Sequence, residues 1–202
     1  MMVHLNAILV VFLAVQAIFS GPEKKSPAYA PSASQQGTVA VKGSSNVNEF
    51  RLDATVGSIS VNAGDYQSGS SGKDQQKRCF IKIPVKDFKT DNQMIYRDFL
   101  EMVKSKQHPD ILIGIDYSFL EKVQREKKSG KTYVEVNLAG VSRIYEMCIN
   151  YSGKTGAYTR LSGSETMKLT DFKLNPPQRI FGIVRVSNEI IVNFDFVYRI
   201  QP

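Results

Sequence analysis

Residues 190–200 read IIVNFDFVYRI. Ile190, Val192, Phe194, Phe196, Tyr198 and Ile200 share one parity; Ile191, Asn193, Asp195, Val197 and Arg199 share the other. Successive side chains of a strand point to opposite faces, so this stretch predicts a long strand with one apolar face. At the rise of an extended chain its eleven residues reach about 36 Å. A strand of that length is deep enough to line an elongated cavity.

The same signature extends outward from this stretch. Ile111, Ile113, Ile115, Tyr117 and Phe119 alternate with Gly114, Asp116 and Ser118. Val134, Val136 and Leu138 alternate with Tyr133, Glu135 and Asn137, and Tyr145, Met147, Ile149 and Tyr151 with Glu146, Cys148 and Asn150. Shorter candidate strands lie at 50–62, 78–85 and 161–174. Gly, Ser, Asn and Pro at 43–46, 68–72, 129–130, 152–153, 176–177 and 187–188 separate them. These are turn-forming residues, and many strands with short punctuation indicate an antiparallel meander.

One segment departs from period two. Residues 92–107, NQMIYRDFLEMVKSKQ, place apolar side chains at 94, 95, 99, 102 and 103, close to helical spacing. Asp91 or Asn92 can cap its start, Lys104 and Lys106 suit its end, and Pro109 stops it. The expectation is therefore an all-β fold, an antiparallel barrel of about eight strands with one main helix at about 92–107. Closing the sheet removes the edges that an open sheet must protect. An eight-stranded barrel is filled by its own side chains or holds one ligand, and alternation alone leaves both interiors open.

The N-terminus reads as an address. Residues 7–19, AILVVFLAVQAIF, are apolar apart from Gln16. The run is shorter than the roughly 20 residues of a membrane span and fits the core of a signal peptide, with small Ser20 and Gly21 behind it. Met1 to Asn6 carry no Lys or Arg, a departure from the usual pattern. Residues 1–20 are expected to be an export signal, 21–37 a Pro/Ser/Ala/Gln-rich flexible leader and 38–202 the folded domain. The expected location is periplasmic or secreted.

Composition narrows the chemistry. The chain has 202 residues, 42% hydrophobic and 22% charged, with 26 Lys and Arg against 19 Asp and Glu, a net charge of +7. This is globular composition and excludes a disordered chain, a collagen or a coiled coil. Two cysteines exclude a disulfide scaffold and a four-cysteine zinc site. Past the signal the one histidine is His108, too few for a triad or a three-histidine metal centre. Cys79 shares a parity with Ile81 and Ile83, Cys148 with Glu146 and Asn150. The thiols are therefore expected on opposite sides of the wall, beyond disulfide reach. The Lys/Arg-rich run at 122–131, KVQREKKSGK, reads as a hairpin turn at one barrel mouth. It is either a solvated loop or a patch attracted to an anionic membrane surface. The aromatics follow the strands and are not interleaved with this run, which argues against nucleic acid.

Several short motifs resemble the YceI-like domain family. Gly43-Ser44-Ser45-Asn46-Val47-Asn48-Glu49-Phe50 is similar to that family's opening, and 83–88, IPVKDF, to the strand leading to its helix. Met94 with Arg97-Asp98-Phe99-Leu100 and then His108-Pro109-Asp110-Ile111 resembles the helix and its exit. Residues 138–143, LAGVSR, resemble the strand usually written L-T-I-x-G-x-T-K, with Ser142 and Arg143 in place of Thr and Lys. Asp171-Phe172, Pro176-Pro177 and 181–186, FGIVRV, resemble the late stretch. Five motifs in order span about residues 38–200. The resemblance implies a lipocalin-like barrel of eight strands with helical cover, exported, that binds polyisoprenoid or other long-chain amphiphiles.

The combined expectation is a non-enzymatic, cofactor-free and metal-free exported protein that holds a long-chain lipid or isoprenoid. Expected lumen residues are Ile81, Ile83, Ile113, Ile115, Tyr117, Val136, Tyr145, Met147, Ile149, Val192, Phe194 and Phe196. The competing expectation is an interaction or structural domain whose barrel is filled by its own side chains.

Overall fold

The structure is a computed structural model and describes residues 36–62, 67–68, 77–179 and 184–201. The expected signal at 1–20 and nearly all of the leader lie outside the described residues. The strands are β1 (Gly37–Ser45), β2 (Glu49–Val56), β3 (Ile59–Asn62), β4 (Gln67–Ser68), β5 (Lys77–Pro84), β6 (Asp110–Asp116), β7 (Gly130–Leu138), β8 (Val141–Thr155), β9 (Tyr158–Lys168), β10 (Gln178–Arg179) and β11 (Val184–Gln201). Two α-helices accompany them, α1 (Gln93–Met102) and α2 (Tyr117–Glu126).

Eight strands form the barrel wall in the order β2-β1-β11-β9-β8-β7-β6-β5. Every neighbouring pair in that wall is antiparallel. The short β4 and β10 pair with β5 and β11, and β3 runs parallel to the end of β11. Where β2 comes round to the chain leaving β5, two reciprocal backbone bonds stitch the seam. The Asp53 N–H donates to the Lys89 carbonyl (2.9 Å) and the Lys89 N–H to the Asp53 carbonyl (2.8 Å). The fold is thus all-β and lipocalin-like.

Parity sets which side chains face in. Val39 and Val41 of β1 lie opposite Phe194 and Val192 of β11, and Ile81 and Ile83 of β5 lie opposite Ile113 and Ile111 of β6. A slip of one residue would turn each of these sets to solvent, so burial fixes the register. The two-residue β7–β8 turn puts Ala139 and Gly140 at positive φ (51° and 78°), the geometry of a tight hairpin. A Cβ on Gly140 would meet the His108 ring at 2.6 Å. His108 therefore acts as a pad under this turn.

Three expectations need correction. The first helix is shorter than 92–107: it ends at Met102 because Lys104 turns left-handed (φ 54°). The Ser105 N–H then reaches back to the Leu100 carbonyl (3.0 Å). The strand through Ile111 stops at Asp116, and a second helix begins at Tyr117. Asp116 Oδ1 accepts the N–H groups of Ser118 (2.7 Å) and Phe119 (3.3 Å), an N-cap that overrides the alternation. The basic run is divided between the end of α2 (122–126) and the chain into β7 (127–131) and is not a simple hairpin turn; Lys127 (φ 56°) caps the helix C-terminus, where cations are favoured. Cys79 is buried and Cys148 exposed, and neither forms a disulfide.

Candidate functional site: an apolar cavity inside the barrel

The wall strands enclose a cavity of about 640 Å³. Its facing on β5, β6 and β7 is Ile83, Ile111, Ile113, Ile115, Val134, Val136 and Leu138. All but Leu138 are β-branched and suit a pleated wall. Beside them stand Met147 and Ile149 of β8, and farther round the wall Val39 and Val41 of β1 and Val192 and Phe194 of β11.

Two aromatic rings are accommodated by glycine. The Phe194 ring lies where a Cβ of Gly163 would be (2.4 Å), and the Phe50 ring lies likewise over Gly43 (2.3 Å). Each pairs directly across the ladder with its glycine. The rings therefore lie flat against the wall and do not block the lumen. Phe194 also stacks on Phe196, with centroids 5.4 Å apart.

One end of the barrel is shut. Tyr198, 2% exposed, donates its hydroxyl to the Leu120 carbonyl of α2 (2.8 Å). Ile81, Cys79, Leu161 and Phe196 pack beneath it. The other end carries the portal, framed by the β1–β2 turn, the start of α1, and the chain around Pro177, Val184 and Val186. The turn is built by Ser45, whose Oγ accepts from the N–H groups of Val47 (3.3 Å) and Asn48 (3.0 Å). Asn46 ties it to β11, its Oδ1 accepting from the Arg185 N–H (2.9 Å). The α1 edge is fixed by Asn92, whose Oδ1 accepts from Met94 (2.9 Å) and Ile95 (3.2 Å). Val47 and Met94 project at the portal, 58% and 54% exposed.

Nine of the twelve expected lumen residues face this cavity: Ile83, Ile113, Ile115, Val136, Met147, Ile149, Val192, Phe194 and Phe196. Three do not. Ile81 belongs to the packed layer under α2. Tyr117 is the first residue of α2 and packs against the core from there. Tyr145 has the inward parity, but the short 3-10 turn Leu169–Phe172 covers that end of β8. Its hydroxyl donates to Asp171 Oδ2 (3.2 Å). Burial, with the Asp171 carboxylate next, pushes that hydroxyl up to about 12. The polar portal residues Ser45, Asn48, Glu49, Asn92 and Asp98 were not among the expected set. The motif at 43–50 and the helix cap marked those segments, but no local pattern says that they meet. Among the described residues no three His, Cys, Asp or Glu side chains gather as a metal site.

No protein-family model matches the sequence, and no curated protein is similar to it. Solved structures do match. A polyisoprenoid-binding domain from Saccharophagus degradans superposes with a TM-score of 0.56 at 9% identity, over 80% of this chain and 92% of that one. BcnA of Burkholderia cenocepacia gives 0.53 at 12% identity, over 81% and 96%. A Campylobacter jejuni YceI protein gives 0.46 at 18% identity, over 66% and 80%. The first two share this fold, in agreement with the YceI-like resemblance of the sequence.

Proposed function

We propose that this barrel is a non-enzymatic carrier or sequestering protein for a long-chain apolar ligand, of polyisoprenoid or fatty-acyl type. The observation that carries the reading is the cavity itself: about 640 Å³ with an almost wholly apolar wall, shut at one end and open at the other. A chain that enters tail first buries its length and leaves its head at the portal. At about 30 Å³ per small group the space takes roughly twenty chain carbons, about four isoprene units. Burying them contributes on the order of 16 kcal/mol at ~0.8 kcal/mol per methylene, against an association cost of about 4–15 kcal/mol. A longer isoprenoid would extend out through the portal.

The fold shared with a polyisoprenoid-binding domain supports the ligand class. The apolar run at 7–19 supports export, to the periplasm or beyond. Exposed Lys122, Lys127 and Lys128 at the shut end offer a weak electrostatic contact for an anionic membrane surface.

The test is to produce the full chain in bacteria, purify it without detergent, extract it with organic solvent and identify the extract by mass spectrometry. A stoichiometric long-chain lipid is the expected result. In Phe194→Asp, a charge in the apolar wall should remove that lipid. A clean extract from the folded parent, persisting after quinones and fatty acids are offered, would overturn the carrier reading in favour of a barrel acting through its outer surface.

A further inference from the structure

The cavity uses the inner face of β8 and leaves its outer face free for other chemistry. On that strand Asn150-Tyr151-Ser152 has the form Asn-x-Ser, and no other Asn of the chain has Ser or Thr two residues on. Asn-x-Ser is the acceptor pattern for an N-linked glycan, a bulky group that only an exported protein with open surface at that point can carry. Asn150 meets the surface condition. Ile149, 1% exposed, lines the cavity, so its neighbour Asn150 points outward, and it is exposed. The Asn150 side chain makes no hydrogen bond among the described residues, so a sugar on it displaces no partner. Ser152 is exposed too. It is the extra residue of a bulge: Tyr151 pairs with Leu161 and Gly153 with Arg160, which skips Ser152 and holds Gly153 at φ 118°. A bulge re-aims side chains, and this one opens the motif to solvent. Beside Asn150 on β9 stands its ladder partner Ser162, whose Oγ lies 2.7 Å from Ser152 Oγ. These neighbours are small and hydroxylated, so they leave room for a sugar and can hydrogen-bond to it.

We infer that Asn150 is the acceptor of an N-linked glycan, carried on the outer wall of the barrel. The inference rests on the export half of the reading above, because the sugar is attached as a chain enters an export compartment. In the step, Asn150 Nδ2 attacks the anomeric carbon of an oligosaccharide held on a lipid diphosphate. The new C–N bond forms as the bond from that carbon to the diphosphate oxygen breaks. The nitrogen gives up one proton, and the lipid diphosphate leaves with the electron pair. Asn150 lines neither the cavity nor its portal, so the glycan stands clear of the path of a ligand.

The test is to secrete the full chain from cultured mammalian cells and weigh it before and after treatment with a peptide N-glycosidase. The expected result is a mass above that of the polypeptide, removed by the enzyme, with Asn150 left as aspartate in the peptide map. Asn150→Gln and Ser152→Ala should each abolish the added mass, and Ser152→Thr should keep it, since the pattern accepts either hydroxyl. A secreted parent with the mass of bare polypeptide would overturn the inference and leave export standing. An added mass that persists in Asn150→Gln would overturn it by placing the sugar elsewhere. A chain that stays in the cytosol, unmodified and with residues 1–20 attached, would overturn the export reading and this inference with it.

Discussion

Beneath α2, the side chains of Cys79, Ile81, Leu161, Phe196 and Tyr198 close to a gap of about 10 Å³. Toward the portal, Ile83, Ile113, Val136 and Val192 surround about 640 Å³. Both sets have inward parity, and they share strands: Ile81 and Ile83 are two residues apart on β5, Val192 and Phe196 four apart on β11. One thing separates the regions. The shut end receives Leu120 from outside the sheet, beside Leu161, Phe196 and Tyr198. At the portal half α1 contributes Phe99 and Met102 at one side without filling the centre. An eight-stranded barrel has an interior close to the size that side chains can just fill. One inserted helix then decides which half is core and which half is cavity.

The strongest way to break this contrast is to truncate the plug. Leu120 is buried on α2, and Leu120→Ala should cost about 2–5 kcal/mol, as for other buried leucines. Met94→Ala, at the exposed rim of the portal, should stay within about 0.5 kcal/mol. Chemical denaturation of both variants checks this; equal losses would mean that the shut end is not the better packed.

Enlargement should separate the halves by sign. Val61→Phe, in the packed layer, should cost about 1–3 kcal/mol through overpacking. Val136→Phe puts its added atoms into the cavity, so stability should hold within about 1 kcal/mol while uptake of a long-chain alcohol falls by about tenfold or more. Thermal melts with parallel ligand titrations read both effects. A Val136→Phe protein that binds as well as its parent would show that the ligand does not use this space.

A smaller effect concerns the seal itself. Tyr198→Phe removes one buried hydrogen bond to α2 and should cost about 0.5–1.5 kcal/mol. Burial, with a small addition from Tyr151, holds the Tyr198 hydroxyl above its ordinary value of 10.0. Tyr145 is raised to about 12, chiefly by burial. A tyrosine raised on folding contributes stability that is complete below its unfolded value and lost as the pH climbs through the folded one. Unfolding free energy should therefore fall from about pH 10 upward. Tyr198→Phe should flatten that loss more than Tyr145→Phe, since Tyr145 is partly solvated.

Much of this arrangement is legible in the chain. Alternation at 190–200 and 134–138 places the inward residues correctly, and the same parity separates Cys79 from Cys148. Asn92 announces α1. Asp116 followed by Leu120 and Val123 announced α2 in the same way, but the run from Ile111 to Phe119 imitates a strand until the cap is weighed. Tyr145 shows the limit of parity: its face is right, yet a turn some two dozen residues away takes the place that a ligand would need.

The sequence by itself settled which face of most strands is apolar, where the first helix starts, and that the chain lacks the histidines and cysteines for common catalytic or metal centres. These are local properties, set by period, capping and count. The tertiary structure alone decided that the barrel is hollow in one half and solid in the other, and that Ser45, Asn48, Glu49, Asn92 and Asp98 meet at its portal. A void is the difference between the radius of the closed sheet and the reach of side chains from every wall. That radius comes from strand number, tilt and stagger across the whole sheet, and no window of sequence contains it.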